Sequence, residues 1–167
     1  MKRFFAFVLL LPILIGTLSA CGREEVDLAA AVTAMQKTEK PSPVGRLYVL
    51  SAPPDDPSHP NDSLLAAMFG GSDVTLPAAF DHVRDAAFFV AYTTACELAV
   101  LQCDNADGTR EVSRMCLSRL DSLKLYRTGD EDVALLQRAR VVIRGDLVIL
   151  LICSDPEGAL RALRRTL

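Results

Sequence analysis

The apolar runs Arg140-Val-Val-Ile-Arg144 and Leu147-Val-Ile-Leu-Leu-Ile-Cys153 are separated by Gly145-Asp146 alone. Two strands with so short a connection pair antiparallel, because a parallel return needs a dozen or more residues. The tripeptide Arg144-Gly145-Asp146 also spells an integrin-binding sequence, but a tight turn accounts for it: the hairpin needs a residue that adopts positive φ, and glycine supplies it. A second pair of runs, Ala86–Tyr92 and Cys96–Cys103, is joined by Thr93-Thr94-Ala95 and reads as another hairpin. In its second run Leu98 and Val100 share a face with Cys96, whereas Ala99 and Leu101 share the other with Glu97 and Cys103, so both faces are partly covered.

Between the hairpins Val112, Met115, Cys116, Leu120 and Leu123 recur at helical spacing behind the turn Asn105-Ala-Asp-Gly108, with Asp107 as the expected N-cap. The charged Arg110, Arg114, Arg119, Asp121 and Lys124 fall mostly off that stripe and read as its solvated side. A short helix over 130–138 follows the Thr128-Gly-Asp break. Leu64, Leu65, Met68 and Phe69 form another helix face, stopped by Gly70-Gly71. The segment Ser154-Asp-Pro-Glu157 is helix-start grammar: a Ser or Asp cap, Pro in the first turn, and Glu placed for a capping box. Leu160, Leu163 and Leu167 line the helix that follows, and Arg161, Arg164 and Arg165 complement its dipole. These elements predict an α+β domain over 62–167: two layers, a four-stranded, mainly antiparallel sheet of two hairpins joined by a long helix, with helices packed on a face.

Upstream, Val26, Ala29, Ala30, Val32 and Met35 predict a helix over about 26–37 that docks on the domain, since Val32 and Met35 would otherwise be exposed, or else begins a tether; Pro41 and Pro43 end it. Arg46–Leu50 suits a short strand, and the Pro- and Asp-rich stretch 51–62 is turn chemistry, with His59 a solvated loop residue. Residues 21–61 therefore read as an N-terminal helix and Pro-rich linker ahead of the domain.

Residues 1–20 form a separate unit. Lys2 and Arg3 precede an apolar run from Phe4 to Ile15, and small residues lead to Leu18-Ser19-Ala20-Cys21. This is the order of a secretion signal. Twelve residues span about 18 Å as a helix against a hydrocarbon core of about 30 Å, so the run is short for a membrane span, and Pro12 weakens it further. Leu-Ser-Ala-Cys matches a bacterial lipobox, in which the cysteine thiol receives a diacylglycerol carrying acyl chains such as palmitate and the bond before it is cut. Two chains are what stable attachment requires, so Cys21 is the expected lipidation site and the domain is tethered at the outer face of the cell membrane.

The chain carries a formal charge of −3, and losing Lys2 and Arg3 with the leader takes it to −5. An acidic domain without a basic run disfavours nucleic acid. No Gly-x-Ser-x-Gly, His-Glu-x-x-His, Walker loop or Cys-x-x-Cys occurs, and the two histidines leave little material for a triad or metal cluster. Neither a catalytic residue nor a cofactor or metal site is expected; His82, just before the first long strand, is the candidate general base if one exists. Four cysteines remain beyond Cys21: Cys96, Cys103, Cys116 and Cys153. Export permits disulfides, but Cys96 and Cys103 lie seven apart on one strand, face opposite sides and stand about 20 Å apart, so they do not pair with each other. The apolar neighbours of Cys96, Cys116 and Cys153 favour small buried side chains, with a disulfide as the alternative.

The stretch Ala95-Cys-Glu-Leu-Ala-Val-Leu-Gln, the helix containing Ser118-Arg119-Leu120, and the run from Leu136 through Asp155-Pro-Glu-Gly-Ala159 resemble a family of small bacterial lipoproteins carrying a domain of unknown function, commonest in Gram-positive anaerobes. The likeness covers about 64–167, and the leader generically. It implies a strand bearing Glu97, a helix with Arg119 near its end, and a closing Gly-turn hairpin before a helix start. It implies no catalytic residues. Glu97 and Arg119 are the matching polar positions, as an ion pair or a surface feature. The Pro-rich stretch 51–60 and the cysteines depart from the pattern.

The expected function is that of a non-enzymatic, membrane-anchored binding or accessory domain for an envelope protein or peptide, acting through a sheet or helix surface. An envelope enzyme or accessory factor using carboxylates and His82 is the alternative. In cells fed a labelled lipid precursor, the wild-type chain is expected to incorporate label and Cys21→Ala to incorporate none; equal labelling would remove the anchor.

Overall fold

The computed structural model describes residues 26–70 and 75–167. Cys21 and the leader lie outside the described residues. Five strands form one antiparallel sheet: β1 (Gly45–Val49), β2 (Val83–Ala91), β3 (Glu97–Cys103), β4 (Arg140–Arg144) and β5 (Leu147–Ile152), in the order β1-β2-β3-β5-β4. Both expected hairpins are present. Gly145 turns the second at φ 62°. The first pairs from Val83↔Cys103 to Val90↔Glu97, with a register shift between Val83 and Asp85.

The α+β class holds, but the four-strand count does not. Residues 45–49 add a fifth strand along β2, from Gly45↔Ala91 to Val49↔Ala87. This strand has no turn signal because its partner lies across the Pro-rich loop and a helix. The two-layer expectation is also corrected, because helices cover both faces. One face packs α2 (Asp62–Phe69), α3 (Ala106–Tyr126) and α4 (Asp130–Arg138) over Ala86, Phe88, Ala99, Leu101, Val148 and Leu150. The other packs α1 (Leu28–Gln36) and α5 (Pro156–Leu163) over Ala87, Phe89, Leu98, Val100, Ile149 and Leu151. All six residues of β5 are buried, as a strand between two apolar layers requires.

Local chemistry explains the helix boundaries. Asp27 caps α1 through the Ala30 N–H (2.8 Å), and Asn61 caps α2 through Leu64 (2.8 Å). Asn105, not Asp107, caps α3, its side chain accepting the Gly108 N–H at 2.8 Å. Asp155 caps α5 through Gly158 at 2.9 Å, so Glu157 lies inside the first turn and takes Arg140 as its partner (2.5 Å) in place of a capping box. His59 is half-buried, with Nδ1 enclosed. Its loop is held by Ser58, whose carbonyl accepts the Val49 N–H (2.9 Å).

The segment expected to be a helix plus linker therefore contributes core. Leu28, Ala31, Val32 and Met35 are buried, and α1 packs against α5 as well as β1, β2 and β3. Replacing a fully buried methionine by alanine removes apolar contact and leaves a cavity, at a typical cost of about 2–5 kcal/mol. Met35→Ala is expected to lower stability by that amount in urea unfolding; a loss under about 0.5 kcal/mol, the range of a surface change, would return α1 to the linker.

Candidate functional site

The sheet has two dissimilar ends. At the near end α1 begins, and Val26, Asp27 and Leu28 line a cleft with Val49, Ser51 and Asp85, where β1 finishes and β2 starts. At the far end β2 turns into β3, α3 finishes and α5 starts. Five residues lie between Cys21 and the cap Asp27, a contour of at most about 22 Å.

The far end is built around buried carboxylates. Glu39 is only 7% exposed; its Oε2 accepts the Ser154 N–H at 2.9 Å and its Oε1 the Asp155 N–H at 3.4 Å. Those amides precede α5, where the helix's positive end favours an anion. Glu39 also lines a cleft of about 350 Å³ with Lys40, Thr94, Cys96, Glu131 and Ser154. Beside it Asp132 Oδ1 accepts the Ala95 N–H (2.5 Å) and Oδ2 faces Arg127 Nη1 (3.5 Å), which fastens the β2–β3 turn to the α3–α4 corner. The large side chains Val44 (72% exposed), Tyr92 (63%), Leu125 (76%) and Tyr126 (76%) stand at this same end. Tyr92 is placed by donating its N–H to the Val44 carbonyl (3.0 Å).

Glu97 and Arg119, expected as an ion pair or a surface feature, form an ion pair. Arg119 Nη2 donates to Glu97 Oε1 at 2.6 Å and Nε to Oε2 at 3.2 Å, with the Glu97 side chain 5% exposed. A third donor, Nη1, reaches the Ala67 carbonyl (3.4 Å), so β3, α3 and α2 meet at one guanidinium. The planar fork suits bidentate binding of a carboxylate, and enclosure gives the pair an architectural part.

His82 lies nearer the other end. Its Nδ1 is 3.2 Å from Asp104 Oδ2 and its Nε2 3.5 Å from Glu111 Oε2. The ring rests on the first turn of α3, where a Cβ on Gly108 would fall 2.6 Å from His82 Cβ, so only glycine admits it. The hydrogen bond to Asp104 raises the His82 pKa above its usual 6.5, assisted by the charges of Asp104, Glu111 and Asp81 and opposed by desolvation. The same bond lowers that of Asp104. The carboxylates sought around His82 do converge, and they favour the protonated imidazole, which works against its use as a general base. The adjacent cleft is lined by Glu111, Arg114 and Met115, and His82 is not among its walls.

Cys96, Cys103, Cys116 and Cys153 are buried and unbridged. Cys96 and Cys153 belong to the α1/α5 face and Cys103 and Cys116 to the α3 face. Among the described residues no group of three or more His, Cys, Asp and Glu side chains is placed to hold a metal ion, and no helix is long and apolar enough to cross a membrane. No family model, no curated protein and no solved structure matches the chain.

Sequence reasoning missed Glu39 and Asp132. Each sits in a charged, solvent-like stretch, and its partners are backbone amides far along the chain. The single available signal was that Asp132 falls in the first turn of a predicted helix.

A histidine with a raised folded pKa stabilises fully below its unfolded value near 6.5 and loses that contribution as pH climbs through the raised value. The stability gap between wild type and His82→Gln is thus expected to be larger at pH 5.5 than at pH 9 in urea unfolding. An identical gap at both pH values would mean that His82 acts by packing alone.

Proposed function

We propose that the chain is a lipid-anchored extracytoplasmic binding domain, held at the outer face of a bacterial membrane through diacylglycerol on Cys21. Its far end is offered to an envelope protein or peptide. One observation carries this reading: the helix that follows the lipobox starts at the near end, while Val44, Tyr92, Leu125 and Tyr126 are exposed at the opposite one. Exposed aromatic and aliphatic groups beside a polar cleft are typical of a partner surface. Arg164, which closes α5 near Arg144 of β4, and Arg165 after it suit anionic headgroups. The likeness of residues 64–167 to small lipoproteins points the same way.

Both faces of the central strands are covered, so recognition through the sheet surface gives way to the far end. The enzymatic alternative has Asp104 and Glu111 beside His82 in its favour, but among the described residues His82 is not a wall of the neighbouring cleft that Glu111 lines, where water would have to be excluded.

Photo-crosslinking side chains placed at Tyr92 and Tyr126 are expected to capture a discrete envelope protein or peptide in living cells, and the same group at Arg84 or Arg165 is expected to capture none. Equal capture at both ends, or none at Tyr92 and Tyr126, would overturn the assignment.

A further inference from the structure

Strands β3 and β5 pair in a register that runs from Gln102↔Leu147 to Glu97↔Ile152. One step further stand Cys96 and Cys153. The type of that position follows from the other end of the ladder. The Cys103 N–H donates to the Asp146 carbonyl at 2.8 Å, which makes Cys103 and Asp146 a hydrogen-bonded pair. Pair types alternate along an antiparallel ladder, so Glu97↔Ile152 is hydrogen-bonded and Cys96 opposite Cys153 is not. The ladder ends there, since the next amide, Ser154 N–H, turns away to Glu39. Non-hydrogen-bonded pairs bring Cα atoms to about 4.5 Å with side chains close, within the roughly 4.4–6.8 Å that a disulfide accepts. Both side chains project to the same face, into the cluster that holds Leu98, Leu151 and Ala159.

We infer that Cys96 and Cys153 form a cross-strand disulfide in the exported chain. The inference rests on the export reading, since a bridge persists only in an oxidising compartment. In the first step one thiolate attacks a sulfur of an oxidant disulfide, giving a mixed disulfide and releasing one oxidant thiol. The second cysteine then attacks the protein-side sulfur and releases the other oxidant thiol. The two cysteines lose two protons and two electrons, and the oxidant disulfide is reduced to two thiols.

The folded environment also lowers the reactivity of the free thiols. Burial, then the nearby charge of Glu39, pushes both thiols up to about 12, which leaves almost no thiolate once α1 and α5 have closed. The other spatial pair, Cys103 and Cys116, joins a strand to a helix in the opposite layer and has no cross-strand register to bring its Cα atoms together.

The test is thiol mapping of the full chain recovered from the membrane fraction of cells quenched in acid, with free thiols blocked under denaturing conditions before reduction. The expected product links the Cys96 and Cys153 peptides, with Cys103 and Cys116 blocked without reduction. In non-reducing buffer Cys96→Ala should lower the thermal midpoint by about 10 °C, to that of the reduced wild type. If that variant does not fold, the wild-type mapping decides. Membrane-bound chain with all four thiols blocked, or a Cys103–Cys116 link, overturns the inference and leaves the export reading intact. Recovery of the chain only from the cytoplasm defeats the export reading instead. In that case the reduced full chain, refolded with oxidised glutathione, should still yield the Cys96–Cys153 link, and its failure to do so overturns the pairing.

Discussion

The pairing of β3 with β5 governs the rest of the molecule. Both strands are apolar on both faces, and an antiparallel sheet with one wet side cannot hide them. Alternate residues point to opposite layers, so Leu98, Val100, Ile149 and Leu151 demand one cover while Ala99, Leu101, Val148 and Leu150 demand another. The long α3 and its neighbours meet the second demand. The first is met by α1 and α5, drawn from the two ends of the described chain. Strands β1 and β4 then take the edges, where β4 is half-exposed and bounded by Arg140 and Arg144, charges that discourage edge-to-edge association.

What the sequence disclosed were features written within a dozen residues: the two hairpins, the stripe of α3, the bounds of 130–138 and the Asp-Pro start of α5. The hidden features depend on partners far along the chain. Residues 45–49 pair with 87–91, and no turn connects them to announce it. Helix α1 has a modest apolar stripe that suits either docking or a tether, and only the uncovered face of the sheet decides between these. At the functional level His82 was legible as a candidate, but Asp104 and Glu111 join it through the β3–α3 corner. Glu39, in the stretch Lys37-Thr-Glu-Lys40, reads as solvated until the amides of Ser154 and Asp155 are brought to it.

Three carboxylates share a logic. Glu97, Glu39 and Asp132 are each enclosed and each receive N–H donors from another element. An enclosed charge left without partners is costly, whereas one with partners contributes little beyond that cost. Their effect is on which arrangement forms: a shifted α1, a slipped β2–β3 turn or a rotated α3 would each strand an anion. The positions of the clefts and exposed aromatics follow from those ties.

The contact between α1 and α5 joins the first described helix to the last. A chain emerging from its N-terminus presents α1 early, but the surface that shelters Val32 and Met35 is incomplete until residues 156–163 have appeared. The fold is thus a clasp whose two halves lie far apart along the chain. Until that last helix is in place the face of the sheet beneath Leu98, Ile149 and Leu151 stays partly open, and the domain closes only when α5 docks.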